Sequence, residues 1–210
     1  MANDWFRKTT WTNEDENEFF SKLQKAKTCN KPQYLKIQAY TLIDTNDNKL
    51  LIVALNLLQK YFDDYPDDKL DRSSAFKLTG DIYYKMGKYD MALEQYNNAI
   101  EFEEIFPNVK TEAYLKFSEM IIQLNKIDHF EQVKALLLKR DTEINFPINK
   151  YIANAILSII YKHENNIEKS NYYKKLAEDA ANTKNSDFRW NKKLGLVKNR
   201  NKLLDKLMRE

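Results

Sequence analysis

The side chains that could carry nucleophilic or metal chemistry are few and widely spaced. The chain of 210 residues contains one cysteine, Cys29, and two histidines, His129 and His163. Neither histidine has a second ligand four residues away, the spacing that puts two zinc ligands on one helix face. Cys29 could meet a histidine only through the fold, and it lies in a Lys- and Asn-rich stretch that matches no nucleophile motif. We therefore predict that the protein is not an enzyme and binds no metal.

The motifs that bind phosphate or calcium are also missing from the sequence. The three glycines, Gly80, Gly87 and Gly195, are too dispersed to form a phosphate-binding loop. Acidic residues cluster between Asp63 and Asp71, but the alternating ligands, central glycine and terminal glutamate of a calcium loop are absent. Since charged runs usually face water, we interpret this run as a solvated loop. No cofactor is predicted.

Basic residues concentrate at the carboxy-terminal end. The whole chain has 34 Lys/Arg and 31 Asp/Glu, a net charge of +3 that is too small to indicate a nucleic-acid partner. Residues 184–210 contain nine Lys/Arg and three Asp/Glu, which could contact nucleic-acid phosphates or an acidic membrane surface. We interpret the stretch instead as a capping helix that starts at Ser186 or Asp187, because it carries one apolar stripe. The stripe consists of Trp190, Leu194, Val197, Leu204 and Met208.

Large aromatic residues with arginine occur near both ends of the chain, in the segments 4–7 and 187–190. Such residues are typical of binding hot spots. A stack of helical repeats also has open apolar ends that must be covered. Because both clusters lie where a cover is needed, we predict that they seal the ends of the stack.

The cellular compartment follows from what the sequence lacks. A single cysteine cannot form an intramolecular disulfide, which favours a reducing compartment. The first ten residues, MANDWFRKTT, contain no apolar core of a signal peptide. The longest apolar run, Leu50 to Leu55, is far shorter than the ~20 residues of a membrane span. We expect a cytoplasmic protein.

Four prolines divide the chain at nearly regular intervals. Pro32, Pro66, Pro107 and Pro147 are 34, 41 and 40 residues apart. Proline ends or begins helices, and a period of 20–50 residues is the signature of a repeat array. Few glycines and few prolines leave little room for the many tight turns of a β-sandwich or barrel.

Between the prolines, apolar residues recur at helical spacings. Each segment contains two such stripes separated by a polar or glycine break, which predicts four helix pairs in an all-α fold. The breaks lie at 44–48, near Gly87, near Asn125 and at 163–166. A further helix precedes the pairs, with Thr12 as its N-cap and Asp15 three residues later. We predict an N-terminal capping segment over 1–32, repeats over 33–183 and a capping helix over 184–210.

The second pair resembles a tetratricopeptide repeat (TPR). The match is Phe76-x2-Thr79-Gly80-x2-Tyr83-x3-Gly87-x-Tyr89-x2-Ala92-x3-Tyr96-x2-Ala99. Small residues in this motif let the two helices approach closely, and Gly87 can take the left-handed conformation at the turn. The fourth pair keeps the same phase, with Asn165 in the position of Gly87. In the first and third pairs the apolar positions match only if the turn between the helices is longer.

This resemblance implies a TPR-like right-handed α-solenoid of antiparallel helix pairs with terminal capping helices. TPR arrays bind partners in the concave groove lined by the first helix of each pair. The outward positions of those helices are polar and aromatic, which suits a protein or peptide surface. They are Lys36, Tyr40, Lys77, Asp81, Tyr84, Lys85, Glu119, Gln123, Lys162 and His163. The carboxylate clamp of the chaperone-binding members is absent, since Asp81 stands where asparagine is expected.

Three functions follow from these patterns. The leading one is a non-catalytic scaffold that binds a protein or peptide in the groove, with no small-molecule substrate and no membrane. The second is a bacterial immunity-type or inhibitor protein that masks a toxin or enzyme with the same groove. The third, which the charge balance disfavours, is a nucleic-acid binder that uses the basic carboxy-terminal helix.

Overall fold

The computed structural model describes residues 4–210. Over these residues it contains ten α-helices and no strand, which confirms the predicted all-α, TPR-like helical-repeat fold. The helices are α1 Asn13–Lys25, α2 Lys31–Asp44, α3 Asn48–Asp64, α4 Arg72–Lys85, α5 Tyr89–Ile105, α6 Ala113–Gln123, α7 Phe130–Lys139, α8 Pro147–His163, α9 Ile167–Ala181 and α10 Lys202–Arg209.

The chain folds into two compact units. The N-terminal unit ends at Ala113, and the C-terminal unit runs from Tyr114 to Glu210. In the N-terminal unit α2 packs against α3 and α4 packs against α5. In the C-terminal unit α8 packs against α9 and is also contacted by α10. The division into segments 1–32, 33–183 and 184–210 stays a prediction.

The predicted start of α1 is confirmed. The Thr12 hydroxyl accepts a hydrogen bond from the Asp15 backbone N–H at 3.2 Å. The Asp15 carboxylate accepts in return from the Thr12 N–H at 3.0 Å, so both groups that the helix end leaves unpaired are satisfied. Phe19 and Leu23, on one face of this helix, are buried in the core of the N-terminal unit.

The turn inside each helix pair has the same length and the same backbone geometry. Three residues separate α2 from α3, α4 from α5 and α8 from α9, and three separate α6 from the short 3-10 turn that precedes α7. The middle residue of each turn has positive φ: Asn46 (57°), Gly87 (72°), Asn125 (49°) and Asn165 (60°). Asparagine adopts this left-handed conformation more readily than other non-glycine residues.

The prediction of a longer turn is therefore wrong for the first pair, whereas in the third pair six residues, which include the 3-10 turn Ile127–His129, separate α6 from α7. The extra length of these repeats lies between the pairs. Seven residues connect α3 to α4, α5 to α6 and α7 to α8. A proline lies at one end of each connection. Pro66 and Pro107 follow the ends of α3 and α5, and Pro147 is the first residue of α8.

A small buried residue lies seven positions before each left-handed turn residue. These residues are Ala39, Gly80, Ser118 and Ser158. At Gly80 the approach is closest, since an added Cβ would lie 2.6 Å from the ring of Tyr96 in α5. In the fourth pair the Ser158 hydroxyl instead donates to the carbonyl of Ser170 in α9 at 2.9 Å. In the second and fourth pairs, the two helices thus approach closely at this level.

The carboxy-terminal helix is shorter than predicted. It covers only Lys202–Arg209, and no helix forms over 184–201. The helix cannot start at Ser186 because that residue is used in a turn, where its N–H donates to the Lys192 carbonyl at 2.8 Å. Gly195 has a positive φ of 69°, which also interrupts a helix. The actual N-cap is Asn201, whose side chain accepts from the N–H of Leu203 at 3.0 Å.

The short helix α10 packs against the C-terminal unit. Leu204 and Met208 are buried, and α10 contacts α8. The guanidinium of Arg200 donates to both oxygens of the Glu178 carboxylate at 2.8 and 2.7 Å, and this holds the pKa of Glu178 below its usual range. Trp190, in contrast, is 89% exposed, so the prediction that it helps to seal the stack is wrong.

Candidate partner-binding cleft

A cleft of about 300 Å³ opens between α2, α4 and the connection that follows α5. Helix α2 contributes Lys36, Ile37 and Tyr40, and helix α4 contributes Ser74, Lys77 and Leu78. Residues 110–112 form its third side. Three of the predicted groove residues, Lys36, Tyr40 and Lys77, therefore line one cavity.

The helical period explains why these side chains point the same way. In α2, Lys36 and Tyr40 are four residues apart, and in α4, Ser74 and Leu78 have the same spacing. Residues at this spacing lie on one face of a helix. Because both helices are the first of their pair and contact each other, their equivalent faces border the same cleft.

The third side of the cleft is held in place by a buried carboxylate. Glu103 in α5 is only 1% exposed. Its Oε1 accepts from the Ser73 hydroxyl at 2.5 Å, from the Thr111 backbone N–H at 2.8 Å and from the Thr111 hydroxyl at 2.7 Å. These hydrogen bonds join α4, α5 and the connecting segment, so they set the position of Lys110 and Glu112 at the rim.

Two lysines of the cleft, Lys36 and Lys77, are paired with carboxylates of the same unit. Lys36 bonds to the Asp71 carboxylate, and Lys77 bonds to Asp81 at 2.7 Å. Asp81 also accepts from the hydroxyl of Tyr96 at 2.8 Å. The cleft therefore presents ion pairs to a ligand, and Asp81 acts chiefly by fixing Lys77.

The acidic run that we predicted as a solvated loop is partly internal. Besides the pairing of Asp71 with Lys36, the carboxylate of Asp68 accepts from the Tyr61 hydroxyl at 2.6 Å. Burial and this hydrogen bond to Asp68 raise the pKa of Tyr61 well above its usual value. These contacts fasten the connection between α3 and α4 beside the cleft.

The remaining predicted residues of the N-terminal unit lie outside the lining. Tyr84 is 39% exposed, and its ring is 5.7 Å from that of Tyr89. Lys85 bonds to the side-chain oxygen of Asn46 in the preceding turn. Both belong to α4, about two turns beyond Lys77.

The four predicted residues of the C-terminal unit do not line this cleft. The carboxylate of Glu119 in α6 accepts a hydrogen bond from the side-chain amide of Asn201 at 3.3 Å, and it lies 3.6 Å from the ammonium group of Lys116. Because Asn201 is the N-cap of α10, Glu119 is already bonded to the start of that helix. Gln123 is exposed at the end of α6. Lys162 and His163 lie at the end of α8, where the His163 ring stands edge-on to Phe130 at 5.3 Å.

Sequence reasoning missed the contribution of Lys110, Thr111 and Glu112. These residues lie outside any helical stripe, and only the buried carboxylate of Glu103 brings them to the cleft. Ile37 and Leu78, which form its apolar floor, were hidden among other core positions. The available signal was helical spacing, since Ile37 lies three residues before Tyr40 and Leu78 lies four residues after Ser74.

Comparison with known proteins identifies the repeat. Residues 80–109, from the end of α4 through α5, match the family model described as "TPR repeat". This segment of the chain is similar to a single TPR repeat. No protein of curated function and no solved structure shows significant similarity to the chain.

The matched segment contains most of the residues on which the resemblance was based, among them Gly80, Gly87, Ala92 and Tyr96, whereas Phe76 and Thr79 precede it. It also includes Glu103, so the TPR helix itself carries the group that positions one side of the cleft. TPR repeats generally mediate interactions between proteins. Of the helices within residues 4–210, none is both long and apolar enough to cross a membrane.

Proposed function

We propose that this protein is a non-catalytic scaffold that holds a segment of a partner protein in the cleft between α2 and α4. The observation that carries the proposal is the convergence of Lys36, Tyr40 and Lys77 from two first helices on one cavity with an apolar floor. First helices are the groove-lining helices in TPR arrays. The position of the cleft on two such helices therefore supports a binding role for it.

The chemistry of the cleft suits an extended peptide with one apolar side chain. Ile37 and Leu78 offer an apolar floor, while Ser74 and Thr111 offer hydroxyl groups near it. About 300 Å³ is at the small end of ligand pockets, enough for a side chain and its neighbouring backbone. Tyr40, with 51% of its surface exposed, supplies the large rigid contact of a binding hot spot.

The hydrogen bonding of the lining is compatible with a binding role. The hydroxyl of Thr111 donates to the buried Glu103 carboxylate, which also accepts from Ser73 and from the Thr111 backbone N–H, so this carboxylate serves to hold the segment at the rim. An immunity-type protein that masks a toxin or enzyme would use the same surface, and the nature of the captured partner distinguishes it from a scaffold.

Site-specific photo-crosslinking tests the proposal. A photoreactive phenylalanine analogue replaces Tyr40 in one variant and Tyr172 in a matched control. Tyr172, in α9, is 59% exposed and does not line the cleft. We expect the Tyr40 variant, but not the Tyr172 variant, to crosslink a discrete protein in native lysate.

A second substitution, Lys77→Glu, should abolish this crosslink by breaking its pair with Asp81 and reversing the charge in the cleft. Circular dichroism checks that the variant is folded. Equal crosslinking from both tyrosine positions, or a product that survives Lys77→Glu, contradicts the assignment of the cleft.

A further inference from the structure

The segment between α9 and α10 forms a loop that is closed at its neck. Ser186, only 3% exposed, donates its backbone N–H to the Lys192 carbonyl at 2.8 Å and its hydroxyl to the Asn191 carbonyl at 3.0 Å. Trp190 lies between these contacts and is 89% exposed. The loop therefore presents a large aromatic ring to solvent from a hydrogen-bonded base.

The base of the loop is anchored to the start of α8. The Phe188 ring stacks on Phe146 with centroids 4.9 Å apart and planes 13° apart. On the other side of the loop, the Gly195 carbonyl accepts from the Ile148 N–H at 2.8 Å. A side chain at Gly195 would collide with Phe146, since an added Cβ would be 2.3 Å from its ring. Both arms of the loop are thus fixed, while Trp190 has no comparable packing.

The loop is also strongly basic. Residues 184–198 contain five cations and a single acidic residue, Asp187. The cations are exposed, and none forms an ion pair within residues 4–210. They are Lys184, Arg189, Lys192, Lys193 and Lys198. Arg200, just beyond, differs because its pairing with Glu178 serves the docking of α10.

Arg189 and Trp190 form a stacked pair. The guanidinium carbon of Arg189 lies 4.9 Å from the centre of the indole ring, within the range of a cation–π interaction. One face of the indole is covered by arginine and the other is open. An aromatic face with an arginine on it, surrounded by lysines, is the combination that binds single-stranded nucleic acid by base stacking and phosphate contacts.

We propose that the loop of residues 184–198 binds single-stranded nucleic acid. A base stacks on the open face of Trp190, and the phosphates on either side contact Lys192, Lys193 and neighbouring cations. The loop shares no residue with the cleft between α2 and α4, so the nucleic-acid proposal does not depend on the scaffold function.

Two features favour this partner over a membrane or a duplex. Membrane insertion needs a continuous apolar face. Trp190 is not part of such a face, because Arg189 covers its indole ring and the polar residues Asn191 and Lys192 follow it in the chain. Reading a duplex groove usually requires a helix, but the loop contains none, and α10 buries its apolar face through Leu204 and Met208. Base stacking needs unpaired bases, which a single strand offers.

The test uses the full chain and a fluorescein-labelled oligothymidylate of about 20 nucleotides, followed by fluorescence anisotropy at ~50 mM salt. We expect binding whose log affinity falls against log salt with a slope of about −3, as for four phosphate contacts on a single strand. Trp190→Ala should weaken binding about tenfold and leave the slope unchanged, and Trp190→Phe should stay within about threefold, because stacking is retained.

Charge reversal supplies the second arm. Lys192→Glu/Lys193→Glu should weaken binding by more than about tenfold and flatten the salt slope by at least ~1. The matched control Lys27→Glu/Lys49→Glu changes net charge equally at exposed residues of the other unit, and we expect an effect within about twofold. Far-ultraviolet circular dichroism verifies that all variants keep the wild-type helix content.

The possible contrary results are distinct. Three results would overturn the proposal. The anisotropy could stay constant up to about 100 μM protein at low salt, the control variant could lose as much affinity as Lys192→Glu/Lys193→Glu, or Trp190→Ala could bind with the affinity of the wild type. Tighter binding to the duplex of the same length would refute the single-strand assignment. Trp190-dependent sedimentation with anionic vesicles, without oligonucleotide binding, would identify a membrane instead.

Discussion

Replacing Gly80 by alanine should destabilise the protein, although Gly80 is inside a helix. Gly→Ala in a helix interior normally stabilises by about 1 kcal/mol, because alanine loses less backbone entropy. Here the new methyl would lie 2.6 Å from Cε1 and 2.7 Å from Cδ1 of Tyr96. The ring cannot move easily, since it is 1% exposed and its hydroxyl donates to Asp81 at 2.8 Å.

The expected size follows from these two opposing effects. Overpacking of a rigid core costs about 1–3 kcal/mol, and the short contacts with a fixed ring place this site in the upper part of that range, about 2–3 kcal/mol. The helix-propensity gain offsets about 1 kcal/mol of this cost. We expect a net loss of about 1–2 kcal/mol in the free energy of unfolding, or a fall of roughly 2–8 °C in Tm for a chain of this size. Urea unfolding followed by circular dichroism measures it.

Two controls separate the clash from other effects. Gly80→Ala combined with Tyr96→Leu should cost less than the sum of the single substitutions, because the ring that clashes is gone. Gly87→Asn should be nearly neutral, since an added Cβ at Gly87 meets nothing within 4 Å and asparagine fills the same turn position in the other three pairs. A Gly80→Ala variant as stable as wild type would refute the packing proposed for this repeat.

Further predictions concern the buried carboxylate and the carboxy-terminal cap. Glu103→Ala should lower the free energy of unfolding in urea by about 2 kcal/mol, because the backbone N–H and the hydroxyl of Thr111 lose their acceptor. The same substitution should weaken the Tyr40 crosslink, although Glu103 does not line the cleft. Burial and the hydrogen bond to Asp205 raise the pKa of Tyr151 to about 12. In the unfolded chain the pKa of tyrosine is about 10. The neutral Tyr151 hydroxyl therefore contributes its full stabilisation below pH ~10, and this stabilisation is lost as the pH rises towards 12. Tyr151→Phe should therefore be less stable at neutral pH by about 1 kcal/mol and show a shallower decline between pH ~10 and ~12; an unchanged alkaline slope would contradict this role.

The turns within the helix pairs show which part of the fold could be predicted from the sequence and which part could not. Gly87 and Asn165 were recognised as equivalent, because the residues after them match one TPR phase. Asn46 and Asn125 occupy the same position, but the larger residues that follow them, Leu51 and Phe130, stand where the second pair has Ala92. Matching the apolar residues by size shifted the register by three. Positive φ at asparagine, not side-chain volume, is what the pairs share.

The candidate cleft was half predictable for a similar reason. Lys36, Tyr40 and Lys77 follow from the helical period, which the sequence displays directly. Thr111 depends on Glu103, eight residues earlier, and its role appears only when a carboxylate is seen to accept three hydrogen bonds in the core. A buried acid among Glu101–Glu104 is indistinguishable by sequence from its exposed neighbours.

The two compact units differ in charge, and this difference separates the two proposed binding surfaces experimentally. Residues up to 113 carry 15 Lys/Arg and 19 Asp/Glu, whereas residues 114–210 carry 19 and 12. In the cleft, Lys36 and Lys77 are already paired with carboxylates, so binding there rests mainly on apolar and hydrogen-bonding contacts and should change little with salt. In the loop the cations are unpaired, so binding should release counterions and weaken steeply with salt. Arg200 is unsuitable for charge-reversal tests of either surface, because its loss would undock α10 from Glu178 and mimic a binding defect by local unfolding.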